Sequence, residues 1–114
     1  MVNKFLSFLG LARRAGKLTM GNDPVIESIQ KKEAKVLLAA ADLSPRTLKG
    51  VAAAAEAGGV RLLQTEISMD ELGFAIGKRV GIVSVNDAGF AKKIEQLCDD
   101  MRKTAAQAEM KEEA

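Results

Sequence analysis

The residues best suited to chemistry in this chain are cations and glycines next to predicted helices. Gly21-Asn22 precede a helix, where free backbone N–H groups can bind an anion. Arg46 and Lys49 lie near the start of another helix, and Lys78-Arg79 begin the loop after a third. If these segments lie at the same end of the predicted sheet, they could together hold phosphate groups. A solvated basic rim explains the same spacing equally well.

Catalytic groups, by contrast, are scarce. The chain has no histidine and one cysteine, Cys98, which falls beside a helical apolar stripe and is expected in the core. Without histidine, imidazole acid–base catalysis, Ser–His triads and most zinc sites are excluded. The segment Gly73–Lys78 is one residue shorter than a phosphate-binding loop and lacks its hydroxyl residue. We therefore expect no enzymatic activity, no cofactor and no metal.

Composition indicates one small globular domain. The chain has 114 residues, of which 47% are hydrophobic and 28% charged, and its net charge is +2. Residues 1–80 carry 12 Lys and Arg against 8 Asp and Glu, a mild basic bias that is compatible with nucleic acid. The four phenylalanines are the only aromatic residues, which disfavours readers of single strands that stack bases on aromatic rings. The single cysteine, with no apolar run of ~18 residues, predicts a cytoplasmic protein without a membrane span.

The elements that must position these residues are organised around one apolar run. Six apolar residues from Val36 to Ala41 predict a central strand buried on both faces. Ser44 and Pro45 then predict a helix start, with the hydroxyl as N-cap and proline at the first helical position. The same pattern at Asp23-Pro24 predicts another N-cap at Asp23, and Ser68 with Glu71 predicts a capping box.

Helices and strands alternate along the chain, from a first helix to a fifth with four strands between. This order predicts an α/β fold, a three-layer α/β/α sandwich around a mixed four-stranded sheet. We expect residues 1–103 to form a single domain and residues 104–114, where the apolar period weakens, to form a flexible C-terminal tail.

Together, several segments resemble the ribosomal-protein superfamily that binds RNA kink-turns (archaeal and eukaryotic large-subunit type), and most closely its bacterial YlxQ-like branch. The segments are Gly21 before a helix, Ala34-Lys35-Val36-Leu37-Leu38, Ala40-Ala41-Asp42-Leu43-Ser44-Pro45, Glu71-Leu72-Gly73, Ala75-Ile76-Gly77-Lys78 and Asp87-Ala88-Gly89-Phe90-Ala91. They occur in family order and spacing over about residues 3–98. The resemblance implies a three-layer fold and a non-catalytic, ribosome-associated RNA-binding protein.

The resemblance also locates departures. Family members read the kink-turn with an Asn, a Glu and a Lys at the start of the second helix, where this chain has Asp23, Pro24 and Glu27. A slip of one residue would align Asn22 and Asp23 instead, and would put Ile26 at the Lys place. Asp23 cannot donate as an amide does, Pro24 offers no side-chain acceptor, and Glu27 reverses the charge expected near a phosphate. Gly21 keeps the position at which the backbone approaches RNA. Ser44 and Leu48 keep polar and apolar contacts of the expected kinds. The late loop, usually rich in apolar residues, begins here with Lys78-Arg79 and continues with Val80, so it has gained charge.

We therefore predict an RNA-binding protein, monomeric, whose partner is a structured RNA, kink-turn-like or ribosomal, with the ribosome as a candidate assembly. The predicted RNA-binding residues are Gly21, Asn22, Asp23, Glu27, Ser44, Arg46, Leu48, Lys49, Lys78, Arg79 and Val80. Arg13, Arg14 and Lys17 are further candidate phosphate contacts, although cations in the last turn of a helix also suit its dipole. The alternative is a protein-interaction module that retained the fold and lost kink-turn recognition.

Overall fold

The computed structural model describes the backbone of residues 2–113 and the side chains of residues 3–101. Helices and strands alternate as the sequence predicts. They are α1 (Val2–Arg14), β1 (Leu18–Met20), α2 (Asn22–Gln30), β2 (Val36–Ala39), α3 (Pro45–Gly58), β3 (Arg61–Gln64), α4 (Met69–Ile76), β4 (Ile82–Val85) and α5 (Ala88–Glu113). None of the helices described is long and apolar enough to cross a membrane.

The four strands form one mixed sheet in the order β1-β4-β2-β3. Strand β4 is antiparallel to both of its neighbours, β1 and β2, while β2 and β3 are parallel. All four residues of β2 and all four of β4 are buried. The prediction of a doubly buried central strand is confirmed, and β4 is a second one.

The alternation of side chains along β2 divides the core between two helical layers. Val36 and Leu38 pack in a cluster with side chains of α1, α4 and α5. Leu37 and Ala39 pack on the other face with α2 and α3. This arrangement is the predicted three-layer α/β/α sandwich. Cys98 is buried in the first cluster, as expected for a core residue.

The start of α2 differs from the prediction. Its N-cap is Gly21, not Asp23, so the helix begins at Asn22 and Pro24 is the third helical residue, not the first. The Gly21 N–H donates to the Ile82 carbonyl at 3.0 Å, continuing the pairing of β1 with β4. Its backbone, at φ 100° and ψ 156°, then turns the chain directly into the helix. Pro24 is tolerated because no intrahelical bond uses the first N–H groups of a helix.

The other predicted helix starts are confirmed. Ser44 accepts a hydrogen bond from the Thr47 N–H, and Ser68 and Glu71 form a reciprocal capping box. Helix α5 continues through residue 113, so residues 104–113 extend it. The flexible tail remains a prediction.

Two glycines give a matched test of how α2 begins. Gly21 adopts a backbone conformation that is essentially restricted to glycine, so Gly21→Ala should lower the free energy of unfolding by about 1–3 kcal/mol. Gly50 lies inside α3 with open space at its missing Cβ, so Gly50→Ala should raise it by about 0.4–1 kcal/mol. Urea unfolding of both variants checks these opposite signs. A neutral Gly21→Ala would contradict this start of α2.

Candidate nucleic-acid interface

One end of the sheet, here called the loop end, consists of four connections: β1–α2, β2–α3, β3–α4 and α4–β4. Strands β1, β2 and β3 finish there and β4 begins there. Backbone hydrogen bonds tie these connections to one another and to the start of β4. The Gly21 N–H donates to the Ile82 carbonyl at 3.0 Å, and the Ala40 N–H donates to the Gly81 carbonyl at 2.9 Å.

The loop end brings together the predicted residues at the helix starts. Gly21 and Asn22 begin α2, and Ser44 and Arg46 begin α3. Glu27 and Lys49 lie about one turn further along these two helices. Helices α2 and α3 pack on the same face of the sheet, so these residues lie on neighbouring helices.

The α4–β4 loop, residues 77–81, runs from the end of α4 back to the loop end. A Cβ on Gly81 would lie 2.5 Å from Leu43 Cδ1, so this part of the loop packs closely on the β2–α3 connection. Earlier in the loop, Arg79 lies beside α4, where a Cβ on Gly73 would be 3.3 Å from Arg79 Cα. Lys78 is exposed one residue before it.

Arg79 is held by carboxylates. Its Nε donates to Asp70 Oδ1 at 2.7 Å, and both side chains are largely exposed. This hydrogen bond, then the charges of Asp70 and Asp42, raise the pKa of Arg79 above its ordinary value. Asp42 is itself fixed, because its Oδ1 accepts a hydrogen bond from the Met69 N–H at 2.9 Å. To contact a phosphate, the Arg79 side chain must first break its ion pair with Asp70.

The three departures at the start of α2 are all exposed. The Asn22 amide donates to Asp23 Oδ1 at 3.4 Å. Glu27 pairs with Lys31 one turn later, at 2.7 Å between Oε1 and Nζ. The hydrogen bond from Lys31, followed by its charge, lowers the pKa of Glu27 below its ordinary value. The negative charge of Glu27 is therefore partly offset by its own helix.

Three predicted contact residues have structural roles here. Ser44 Oγ caps α3 and donates to Thr47 Oγ1 at 2.9 Å. Leu48 is half-buried against the core under α2 and α3, and Val80 is buried in the core of the other layer. Their contacts with RNA remain predictions. Each contributes by fixing the shape of the loop end.

Charge at the loop end is mixed. The four connections and the first helical turns after them carry three cations, Arg46, Lys78 and Arg79, and five exposed carboxylates, Asp23, Asp42, Glu66, Asp70 and Glu71. A polyanion bound here meets repulsion as well as attraction. Arg13, Arg14 and Lys17 do not join this surface, because the α1–β1 connection lies at the opposite end of the sheet.

A buried polar pair that the sequence reading missed ties α2 to the sheet. Ser28 of α2 and Ser84 of β4 are both buried, with their hydroxyl oxygens 3.0 Å apart. Ser28 also donates to the Val25 carbonyl at 2.6 Å. The one sequence signal is a serine inside the apolar strand Ile82–Val85. This pair anchors the helix whose start forms part of the loop end.

No group of three or more His, Cys, Asp or Glu side chains placed to hold a metal ion occurs among those the structure describes. Besides its carboxylates, the candidate site offers backbone N–H groups, the Asn22 amide and three cations. These are groups that contact phosphates.

Comparison with known proteins places the chain in a family. The model of the ribosomal protein L7Ae/L30e/S12e/Gadd45 family matches residues 3–95. A protein from Bacillus subtilis (strain 168) named RNA-binding protein YlxQ is 38% identical over 97 residues, covering 84% of this chain and 96% of the relative. A protein of the same name from Enterococcus faecium is 34% identical over 96 residues, covering 84% and 92%.

Solved structures with a similar fold include one homologue and one more distant protein. A protein of unknown function from Bacillus halodurans C superimposes with a TM-score of 0.80 at 31% identity, covering 84% of this chain and 97% of that one. The Giardia lamblia 15.5kD RNA binding protein superimposes with a TM-score of 0.71 at 15% identity, covering 90% and 88%. The second similarity is one of fold.

Proposed function

Because the chain belongs to the ribosomal protein L7Ae/L30e/S12e/Gadd45 family, in its YlxQ-like branch, we propose that it is a cytoplasmic RNA-binding protein whose loop end holds structured RNA, kink-turn-like or ribosomal. The observation that carries the proposal is the hydrogen bond from Gly21 to Ile82. It places the start of α2 beside the α4–β4 loop, so one RNA can contact both. Relatives named as RNA-binding proteins support the same reading.

The backbone at the start of α2 supplies the closest approach. Gly21 has no side chain, and the first N–H groups of a helix have no partner within it. Such groups, with the positive end of the helix dipole, favour a phosphate oxygen. Asn22 adds an exposed amide at the same point. This contact needs none of the three base-reading side chains that the chain lacks.

Exposed cations supply the remaining phosphate contacts. Among the described side chains, no carboxylate lies within ion-pair distance of Arg46, Lys49 or Lys78. These three are available to RNA without breaking an ion pair, whereas Arg79 must first leave Asp70. Phosphate contacts position RNA but do not read its sequence. We therefore expect recognition of RNA shape, with weak discrimination among bases.

The five carboxylates at the loop end favour one alternative, a protein-interaction module that no longer binds RNA. Negative charges near a phosphate weaken RNA binding, while a partner protein with a mixed surface could pair with them. In either case the chain acts by binding. Monomeric state and association with the ribosome remain predictions.

Two substitutions with opposite effects test the phosphate contacts. Lys78→Ala should weaken binding of a kink-turn hairpin several-fold, and the slope of log affinity against log salt should flatten by about 0.7–0.9. Asp70→Asn should strengthen binding, because it removes a negative charge and frees Arg79. Filter binding at several salt concentrations measures both. The free energy of unfolding of Lys78→Ala should change by less than about 0.5 kcal/mol, because the side chain is exposed.

Matched controls separate a local effect from net charge. Lys93→Ala is the control for Lys78→Ala, because it removes one positive charge from an exposed position on α5. Glu56→Gln is the control for Asp70→Asn, because it removes one negative charge from an exposed position in the last turn of α3. Neither should change affinity by more than about twofold, since neither residue is among the proposed RNA contacts. If the controls match the test variants, or if Lys78→Ala binds RNA as before, the loop end is not the site.

A restored triple variant tests whether base reading was lost only at the departures. Asp23→Asn, Pro24→Glu and Glu27→Lys together should bind a standard kink-turn hairpin at least tenfold more tightly than the parent. Two base-edge hydrogen bonds and one phosphate contact could each contribute about 1–3 kcal/mol. The folding cost is small, since Glu27→Lys loses an exposed ion pair and leaves two lysines one turn apart, about 0.2–0.5 kcal/mol each.

Isothermal titration against that hairpin and a kink-disrupted control decides the question. The gain should be confined to the intact hairpin, because the restored side chains read the kink. A folded variant with no gain would mean that the rest of the surface has also diverged, and would favour the protein-interaction module.

A further inference from the structure

The end of the sheet opposite the loop end, here called the basic end, holds a cluster of cations that the loop end does not use. The Lys35 N–H donates to the Val85 carbonyl, and the Asn86 N–H donates to the Lys17 carbonyl, each at 2.8 Å. Lys17 and Lys35 therefore lie on the two sides of the chain where β4 finishes, at residues 85 and 86. Because β4 lies between β1 and β2, their backbones are roughly 10 Å apart, two strand spacings.

Charge at the basic end is strongly one-sided. Its α1–β1 and α2–β2 connections, with the last turn of α1, carry five exposed cations that form no ion pair with any described carboxylate: Arg13, Arg14, Lys17, Lys32 and Lys35. Lys31 beside them pairs with Glu27. The exposed carboxylate in these connections is Glu33, while Asp87 at the β4–α5 connection caps α5 through the Phe90 N–H. These segments therefore carry an excess of positive charge, whereas at the loop end three cations face five exposed carboxylates.

An exposed aromatic ring lies next to this cluster. Phe74 on α4 is 93% exposed, whereas Phe5 is fully buried and Phe8 and Phe90 pack together with ring centroids 5.3 Å apart. Phe74 borders a groove of about 410 Å³ between α1 and α4, which Arg14 also lines. None of the residues lining the groove is acidic.

Close contact between the two helices fixes this arrangement. A Cβ on Gly10 would lie 2.9 Å from the Ala75 carbonyl oxygen, so α1 and α4 touch beside Phe74. Arg14 follows Gly10 by about one helical turn, and Lys17 lies three residues later, immediately before β1. Phe74, Arg14, Lys17 and Lys35 thus follow one another from the groove to the basic end.

We propose that this track is a second RNA-binding surface, which takes a single-stranded segment. An unpaired base stacks on Phe74, Arg14 holds the adjoining phosphate, and Lys17 and Lys35 hold the phosphates beyond. An aromatic platform beside cations that follow a backbone is how proteins bind single strands, because every base has a face that can stack. The composition argues against stacking platforms in general, but one fully exposed ring beside unpaired cations is sufficient for one base.

Arg14, Lys17 and Lys35 lie at the end of the sheet opposite the loop end, and the two proposed surfaces share no contact residue. This inference therefore does not depend on the loop end binding RNA. An acidic peptide could use the same cations, but it offers no flat ring to a phenylalanine face. The groove also carries polar residues and a cation along one wall, which suits a nucleotide better than an apolar helix. The observations therefore favour RNA.

The experiment uses labelled oligouridine of ten nucleotides and a ten-base-pair RNA duplex, measured by fluorescence anisotropy with the full chain. Phe74→Leu keeps an apolar side chain but loses the aromatic face, so oligouridine should bind at least fivefold more weakly. Binding of the duplex, whose bases are already stacked, should change less than twofold. Equal affinity of Phe74→Leu and parent for oligouridine would overturn the stacking site.

Cations are tested separately. Lys17→Ala with Lys35→Ala should flatten the slope of log affinity against log salt by about 1.4, at about 0.7 per contact for single strands. Lys92→Ala with Lys93→Ala removes the same charge from exposed positions on α5 and should leave the slope unchanged. Equal effects of the two pairs would overturn the track. So would an oligo-glutamate peptide of equal charge that binds as tightly and depends equally on Phe74.

Failure here is distinguishable from failure of the proposed function. The loop end is measured with a kink-turn hairpin and Lys78→Ala, whereas the track is measured with oligouridine and Phe74→Leu. If Phe74→Leu does not weaken oligouridine binding while Lys78→Ala weakens hairpin binding, the track fails and the loop end stands. If Lys78→Ala does not weaken hairpin binding while Phe74→Leu weakens oligouridine binding, the loop end fails and the track stands.

Discussion

Strand β4 is the constraint on which both surfaces depend. It is buried along its whole length and paired on both sides, with β1 and with β2. At its start, backbone bonds fix Gly21 and Ala40 against residues 81 and 82, which assembles the loop end. At its finish, equivalent bonds fix Lys17 and Lys35, which assembles the basic end. A slip of one residue in its register would move every side chain to the other face and disturb both ends together.

The two ends differ in charge, and local charge decides what each can bind. The net charge of +2 describes neither, because the ends are separated by at least the length of β4, roughly 13 Å, and the Debye length at physiological salt is about 8 Å. At the loop end, Asp70 holds Arg79 and exposed carboxylates outnumber cations, so the backbone at Gly21 contributes what side chains do not. At the basic end, cations outnumber carboxylates, so the side chains alone can hold phosphates.

Local patterns in the sequence predicted most of the fold. The apolar run after Lys35 identified the central strand, and Ser44, Ser68 and Glu71 identified helix starts, because these signals act over three or four residues. The prediction that α2 begins after Asp23 was wrong, because the start of this helix is set by a hydrogen bond from Gly21 to Ile82, which lies far along the chain. The ion pair of Arg79 with Asp70 and the clustering of Lys17 with Lys35 were missed for the same reason. Both depend on chain connections and strand order that no local pattern encodes. The exposure of Phe74, in contrast, was predictable, because the helical period of α4 places this residue off the inner face.

The claim that the loop end holds structured RNA is tested most directly by titrating the ¹⁵N-labelled protein with a kink-turn hairpin and following backbone amide resonances by NMR. The largest changes should occur at Gly21 and Asn22, at Arg46 and across residues 77–81, since these amides border the proposed RNA contact. The amide resonances of the exposed α5 residues Lys92 and Lys93 should not change. Changes confined to α5 or to the basic end, with Gly21 and the α4–β4 loop unmoved, would contradict it.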